Sequence, residues 1–323
     1  MTETPLVIMT HTLPEAWSAS LQGKCRLEVG PQDAVYLAPK LEALLPQAEG
    51  LFCLLTIPVG EALLSKAPHL RVVSNMAVGF DNIDLAACTR RGIPVGNTPG
   101  VLTEGTADLT MALLLAVARN IPSASQDARE GRWKTWSPAG WLGADLNGAI
   151  LGIIGMGKIG QAVAERARGF GLRIVYTDEI ERPVSQAERL PLESLLKSSD
   201  FVSLHVPLTP ETRYLINEKS LQLMKKTAYL INAARGPIVE PNALYHALKD
   251  GQIAGAGLDV TDPEPLPADH PLYSLRNCLI VPHIGSATLY TRRRMAELAC
   301  ENLLAGLEGR HLPNCVNPEV YST

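Results

Sequence analysis

Residues 149–178 read AILGIIGMGKIGQAVAERARGFGLRIVYTD. Ala149 to Ile154 is almost wholly apolar, as a strand covered on both faces of a parallel sheet must be. A glycine turn follows at once: Gly155, Met156, Gly157, Lys158, Ile159, Gly160. Beyond it Ile159, Ala162, Val163, Ala167 and Phe170 recur at helical spacing, and Leu172 to Tyr176 forms a second apolar run that delivers Asp178. The order is strand, glycine turn, helix, strand, carboxylate. Gly155 permits the tight turn, Gly157 lets backbone approach a pyrophosphate, and Gly160 lets helix and strand pack closely. The helix N-terminus offers free N–H groups and partial positive charge to the phosphates. Asp178 comes about 20 residues after the turn, where a carboxylate accepts hydrogen bonds from the adenosine ribose hydroxyls. Glu179 follows it, and two carboxylates repel a 2′-phosphate, so the expected cofactor is NAD and not NADP.

The rest of the chain is consistent with that unit. A length of 323 residues allows two domains, and 46% hydrophobic with 19% charged residues is ordinary for a water-soluble protein. A net charge of −4 provides no basic footprint for nucleic acid, and Arg292, Arg293 and Arg294 read as a solvated helix face. Cys25, Cys53, Cys88, Cys278, Cys300 and Cys315 show neither CxxC nor metal spacing, so no metal site is expected and reduced thiols in a cytoplasmic setting are. The segment MTETPLVIMTHTLPE lacks the charge and apolar core of a signal peptide, and Leu109 to Val117 is too short to span a bilayer.

Residues 5–97 alternate short strands (near residues 6–9, 26–29, 51–55, 70–73 and 93–95) with helices (40–45, 61–66 and 85–90), which predicts a small parallel α/β sheet. One of its loops, Asn75 to Asn82, directly follows a strand, where open parallel sheets bind ligands; Gly79 would bring N–H groups close to an anion. The alternative is a plain turn. Thr98-Pro99-Gly100 marks a break, and helices follow over 102–119 and 124–132. Trp133, Trp136 and Trp141 then crowd one loop, which points either to a subunit interface or to packing on their own chain. Strands near 201–204, 228–231, 256–259 and 278–281 alternate with helices over 192–197, 218–224 and 241–249, and a final helix covers 291–308. The expected fold is α/β: two doubly wound parallel-sheet domains, with a Rossmann cofactor domain (100–289) inserted in a smaller flavodoxin-like substrate domain (1–99 plus 290–323).

Three residues lie just past predicted strands of the cofactor domain: Arg235, Glu264 and His283. An arginine fork grips a carboxylate through two hydrogen bonds. A histidine donates a proton near neutral pH, and a neighbouring carboxylate favours the protonated ring and fixes its tautomer. Singly, each has a plainer reading as an ion pair, a loop carboxylate or a capping histidine. Beside a nucleotide site the set is best explained by hydride transfer.

With those residues in view, the chain resembles the D-isomer-specific 2-hydroxyacid dehydrogenases, most closely their glyoxylate/hydroxypyruvate reductase branch. The resemblance rests on MAVGFDNID (76–84), GIPVGNTPGVLTEGTADL (92–109), GIIGMGKIGQAVA (152–164), LINAARGPIVE (230–240), GAGLDVTDPEPLP (255–267) and VPHIGSAT (281–288), in that order. It implies that Arg235, Glu264 and His283 are catalytic and that the N–H groups of Val78 and Gly79 hold the substrate carboxylate. Ser286 and Trp136, the latter from a partner subunit, would also line the substrate site. The resemblance further implies that Thr106, Val206, Pro207, Thr212, Ala233, Ala234 and Gly285 surround the cofactor, with Asp259 bonding its carboxamide, and that the protein is a homodimer. Val78 stands where phosphite-oxidising relatives carry lysine, which argues against their reaction. Alternatives are a 2-ketogluconate, pyruvate or 3-phosphoglycerate type of dehydrogenase, or a non-catalytic NADH-binding corepressor. The 3-phosphoglycerate type is disfavoured because the 75–82 loop has no basic cluster and no regulatory domain is expected after residue 323.

Overall fold

The computed structural model describes residues 4–322. Two compact units emerge: residues up to Leu102 together with those from Thr288 onward, and Thr103–Ala287.

The first unit contains strands β1 (Leu6–Met9), β2 (Arg26–Val29), β3 (Gly50–Cys53), β4 (Val72–Asn75) and β5 (Val95–Gly96). Short helices α1 (Pro39–Glu42), α2 (Glu61–Leu64) and α3 (Leu85–Arg90) connect them. The strands pair in parallel in the order β2-β1-β3-β4-β5, the flavodoxin-like order. Alternation within each strand separates two cores. Ile8, Leu51, Val73 and Val95 meet Leu41, Leu64 and Ala87 on one face. Val7, Phe52 and Val72 meet Ala296, Ala299 and Leu303 of the long helix α10 (Leu289–Leu307) on the other. Small residues allow that helix to come close: a Cβ on Gly306 would lie 2.5 Å from the Val72 side chain.

The second unit starts with α4 (Thr103–Ala118) and α5 (Ile121–Arg129), then runs β6 (Ile150–Ile154), α6 (Lys158–Gly169), β7 (Arg173–Thr177) and β8 (Ala187–Arg189). It continues with α7 (Leu192–Ser198), β9 (Phe201–Leu204), α8 (Glu218–Leu223), β10 (Tyr229–Asn232), α9 (Pro241–Lys249), β11 (Gly255–Leu258) and β12 (Cys278–Ile280). All seven strands are parallel, in the order β12-β11-β10-β9-β6-β7-β8. The order reverses between β6 and β9, and crevices of this kind at the carboxyl ends of strands are where doubly wound sheets bind ligands. Leu151, Ile153, Phe201 and Ile231 bury one face under α4 and α6. Val202, Leu204, Leu230 and Leu258 bury the other with residues of α7, α8 and α9.

Some bounds shift: β4 lies two residues later than expected, α10 starts two residues earlier, and α5 ends at Arg129 and not at Arg132. Two differences have identifiable reasons. Strand β8 falls outside the expected strands because Ala-Glu-Arg has no apolar run; it is a short edge strand whose Glu188 and Arg189 are exposed. Helix α5 begins at Ile121, not Ala124, because Pro122 sits in its first turn, where a missing N–H costs nothing. Among the described residues no helix is long and apolar enough to cross a membrane, and no group of three His, Cys, Asp or Glu is placed to hold a metal ion.

Candidate active site

In the second unit, the glycine turn links β6 to α6. Gly155 has φ +94, and a Cβ there would lie 2.7 Å from the backbone carbon and oxygen of His205, at the end of the neighbouring strand. A Cβ on Gly160 would lie 2.2 Å from the Gly155 carbonyl oxygen, so helix and turn touch through bare backbone. Gly157, capping α6, has nothing within 4 Å of its Cβ direction, which leaves the helix N-terminus open to an incoming phosphate. Met156 is buried, Lys158 exposed and Ile159 half-buried. The donor set fits a dinucleotide.

Asp178 stands one residue beyond β7. Its Oδ2 accepts the Met156 N–H at 2.8 Å and its Oδ1 the Ile180 N–H at 3.2 Å, so the acid braces the glycine turn. The local charge is more balanced than the Asp-Glu pair alone implied. Arg182 Nε is 3.6 Å from Asp178 Oδ2, and Arg189 Nη2 donates to the carbonyls of Asp178 and Glu179. Asp178 is thus flanked by two arginines as well as by Glu179.

The strand ends of β10, β11 and β12 lie side by side, and the chemistry-bearing residues follow them. His283 Nδ1 lies 2.5 Å from Glu264 Oε1, while Glu264 Oε2 accepts the Thr261 N–H at 3.3 Å. A carboxylate at Nδ1 makes that nitrogen the proton-bearing one and leaves Nε2 free to exchange a proton. The pair is reachable, with the two side chains 26% and 34% exposed. Arg235 follows β10 in extended conformation; its Nη1 donates to the Ala234 carbonyl, and the Arg235 carbonyl accepts Asn232 Nδ2. Ala233 and Ala234 are half-buried on the same strand end, and Ala234 N–H donates to Asn232 Oδ1.

Asp259 has a role that the sequence did not announce. Expected to face a carboxamide, its carboxylate accepts the N–H of Ile284 at 2.6 Å and of Gly285 at 2.9 Å, and its carbonyl accepts the His283 N–H at 2.9 Å. Three consecutive N–H groups thus converge on one residue, which holds His283 at φ +50, an uncommon conformation for a side-chain-bearing residue. Burial pushes the Asp259 carboxyl up, with the Ile284 N–H and the nearby His283 opposing it. Thr106 Oγ1 donates to the Gly285 carbonyl at 3.3 Å, fixing the same loop from α4, and Ser286 is half-buried next to it. After β9, Val206 is half-buried, Pro207 is exposed, and Thr212 Oγ1 donates to the Pro207 carbonyl at 2.7 Å. His205 Nε2 pairs with Ser203 Oγ at 2.8 Å, and burial pushes the imidazole down to about 4.

Of the three tryptophans, Trp141 donates to Asp127 Oδ2 at 2.8 Å and so belongs partly to its own chain. Asp127 also meets Arg132 and Arg276, and these three donors hold its carboxyl well below the usual range. Trp133 and Trp136 are 63% and 81% exposed.

In the first unit, the Asn75–Asn82 loop follows β4, with Val78 and Gly79 half-buried. Side-chain amides hold its carbonyls: Asn97 Nδ2 donates to Val78 and Asn75 Nδ2 to Gly79. Sequence reasoning assigns these two asparagines no role of their own, since a buried amide leaves no periodic signal.

Known proteins resemble this chain over nearly its whole length. Residues 111–285 match the family model of the D-isomer specific 2-hydroxyacid dehydrogenase NAD-binding domain. A glyoxylate reductase of Korarchaeum cryptofilum is 48% identical over 321 residues, 98% of this chain and 97% of the relative. A Thermus thermophilus protein of known crystal structure is 50% identical with a TM-score of 0.91, over 96% of this chain and 99% of that one. The D-lactate dehydrogenase of Aquifex aeolicus, crystallised with NAD and lactic acid, is 30% identical with a TM-score of 0.86 over 97% and 99% of the two chains.

Proposed function

This chain belongs to the D-isomer specific 2-hydroxyacid dehydrogenases, and on that premise we propose that it reduces a small 2-oxo acid, glyoxylate or hydroxypyruvate, to the D-2-hydroxy acid with NADH. The observation that carries the reading is the His283–Glu264 contact at the end of the cofactor-binding sheet. When bound, NADH supplies the hydride. His283 gives a proton from Nε2 to the carbonyl oxygen, and Glu264, at Nδ1, keeps the ring oriented and fixes its tautomer. Arg235 supplies a guanidinium for the carboxylate and the carbonyl oxygen. The N–H groups of Val78 and Gly79 are proposed as further donors to a substrate carboxylate. Ser286 completes the substrate contacts. Asp259 positions the His283 loop, and its remaining acceptor capacity serves the carboxamide.

The glycine turn, Asp178, Thr106, Val206, Pro207, Thr212, Ala233, Ala234 and Gly285 form the cofactor cradle, in a domain of residues 100–289. The remainder forms the substrate domain. The exposure of Trp133 and Trp136 supports a homodimer in which Trp136 reaches the partner's site; a sedimentation mass of one chain contradicts this. The protein is proposed to work in the cytoplasm, which fractionation of the source cells tests.

Steady-state NADH oxidation with glyoxylate, hydroxypyruvate, pyruvate and a 2-ketogluconate-type acid tests the reading. Turnover highest on the first two is expected. Preference for either of the others reassigns the substrate, and tight NADH binding with negligible turnover on all four identifies a binding protein.

A further inference from the structure

Three consecutive carbonyls of the loop after β4 are tied down from inside the first unit. The Ala77 oxygen accepts the Thr98 N–H at 2.9 Å, the Val78 oxygen accepts Asn97 Nδ2 at 2.8 Å, and the Gly79 oxygen accepts Asn75 Nδ2 at 3.0 Å. Cis peptides occur among the described residues only before Pro263 and Pro265, so residues 77–80 are joined by trans bonds. In a trans peptide the N–H of one residue points opposite to the carbonyl of the residue before it. Because the Ala77 and Val78 carbonyls both point at the 97–98 segment, the N–H groups of Val78 and Gly79 both point away from it. Among the described residues neither N–H has a hydrogen-bond partner, although the peptides that carry them are immobilised. Two successive N–H groups fixed toward one side form a concavity that selects an anion.

The residue that sets this direction is itself held. Asn97 is 8% exposed; Asn302 Nδ2, from α10, donates to its carbonyl at 2.9 Å, and its own N–H donates to the Asn314 carbonyl at 3.1 Å. Asn302 Oδ1 accepts the Asn314 N–H at 3.0 Å, closing the network, and a Cβ on the adjoining Gly96 would lie 2.7 Å from the Asn302 side chain. Fully buried amides are costly unless their hydrogen bonds are made, so this arrangement resists rotation.

We propose that Asn97, anchored by Asn302, is a positioning residue that aims the Val78 and Gly79 N–H groups at the substrate carboxylate and thereby sets affinity for the acid. The inference rests on the 2-oxo acid reading, and the test separates the two.

The experiment compares wild-type enzyme with Asn97→Ala and Asn97→Asp in four readouts: KM for glyoxylate, kcat at saturation, the inhibition constant of oxalate, and Kd for NADH. Loss of one hydrogen bond that aims the peptide should raise KM and the oxalate constant together by roughly five- to tenfold. The Asp variant, which cannot donate and adds negative charge, should be affected more. kcat and the NADH Kd should stay within about twofold of wild type, on the same grounds. Unchanged KM and oxalate constants in folded variants overturn the proposal, as does a parallel loss of kcat, NADH binding and thermal stability, which marks a merely structural amide. If the variants fail to fold, oxalate added to the isotope-labelled wild-type protein should shift the backbone amide resonances of Val78 and Gly79, and an absence of shift there overturns it. A wild type that turns over none of the acids but shows those shifts refutes the enzyme reading while upholding the anion grip.

Discussion

The imidazole Nδ1 of His283 sits 2.5 Å from the Oε1 of Glu264, although the two residues are carried by loops that follow different strands. Because the acid occupies Nδ1, its charge acts on the ring as a whole while Nε2 remains available. Replacing Glu264 with Gln retains a hydrogen-bonding group but removes that charge. The reduction rate should fall by about one to two orders of magnitude near neutral pH, because the imidazole loses the carboxylate that orients it. Turnover of both proteins at saturating substrate, with NADH affinity measured alongside, checks this; equal kcat values contradict a role for the carboxylate.

The geometry of the His283 loop depends on Asp259. Asparagine can accept only one of the two N–H bonds that its carboxylate now receives from Ile284 and Gly285, and it turns an NH2 group toward the other. Asp259→Asn should lower unfolding free energy by about 1–3 kcal/mol and reduce kcat, because His283 loses the support for its left-handed backbone. Urea denaturation combined with turnover measures both effects.

Asp178 accepts the Met156 N–H, and in the proposed cofactor cradle it also presents acceptors to a ribose. Asp178→Ala should weaken NADH binding roughly ten- to a hundredfold, the scale of a charged hydrogen bond. NADPH binding should suffer less, since Arg182 and Arg189 remain beside the vacated position. Titrating both cofactors by fluorescence gives the ratio; equal losses contradict a discriminating role.

His205 stays neutral in the folded protein down to about pH 4 because it is buried, whereas an unfolded histidine protonates near 6.5. The unfolded state therefore binds the extra proton between those values. Stability contributed above pH 6.5 is lost as pH falls toward 4, by at most about 3 kcal/mol. Denaturation at several pH values should show this slope in wild type and a flatter one in His205→Gln.

Much of this was legible in the sequence because apolar runs and glycines respond to short-range physics. The runs around Ile153, Val202, Leu230 and Val73 are apolar because their strands are covered on both sides; the first three strands appear within a residue of expectation, and the fourth two residues later. The doubly wound class and the family were legible too, through the glycine turn and the motifs around it. Hidden were features set by hydrogen bonds distant in sequence. Asn302 reaches Asn97 across some 200 residues, and Asp259 collects N–H groups from the loop after the next strand. Arg182 and Arg189 altered the charge around Asp178 because β8, an edge strand without an apolar pattern, folds back beside it.

The account turns on His283 as the proton donor for a hydride acceptor. Single-turnover and steady-state oxidation of NADH by glyoxylate, in wild type and in His283→Gln with NADH affinity measured alongside, tests it most directly. A fall in kcat of about 10²- to 10⁴-fold with NADH Kd unchanged is the predicted result. Turnover equal to wild type in the His283→Gln protein would contradict the account.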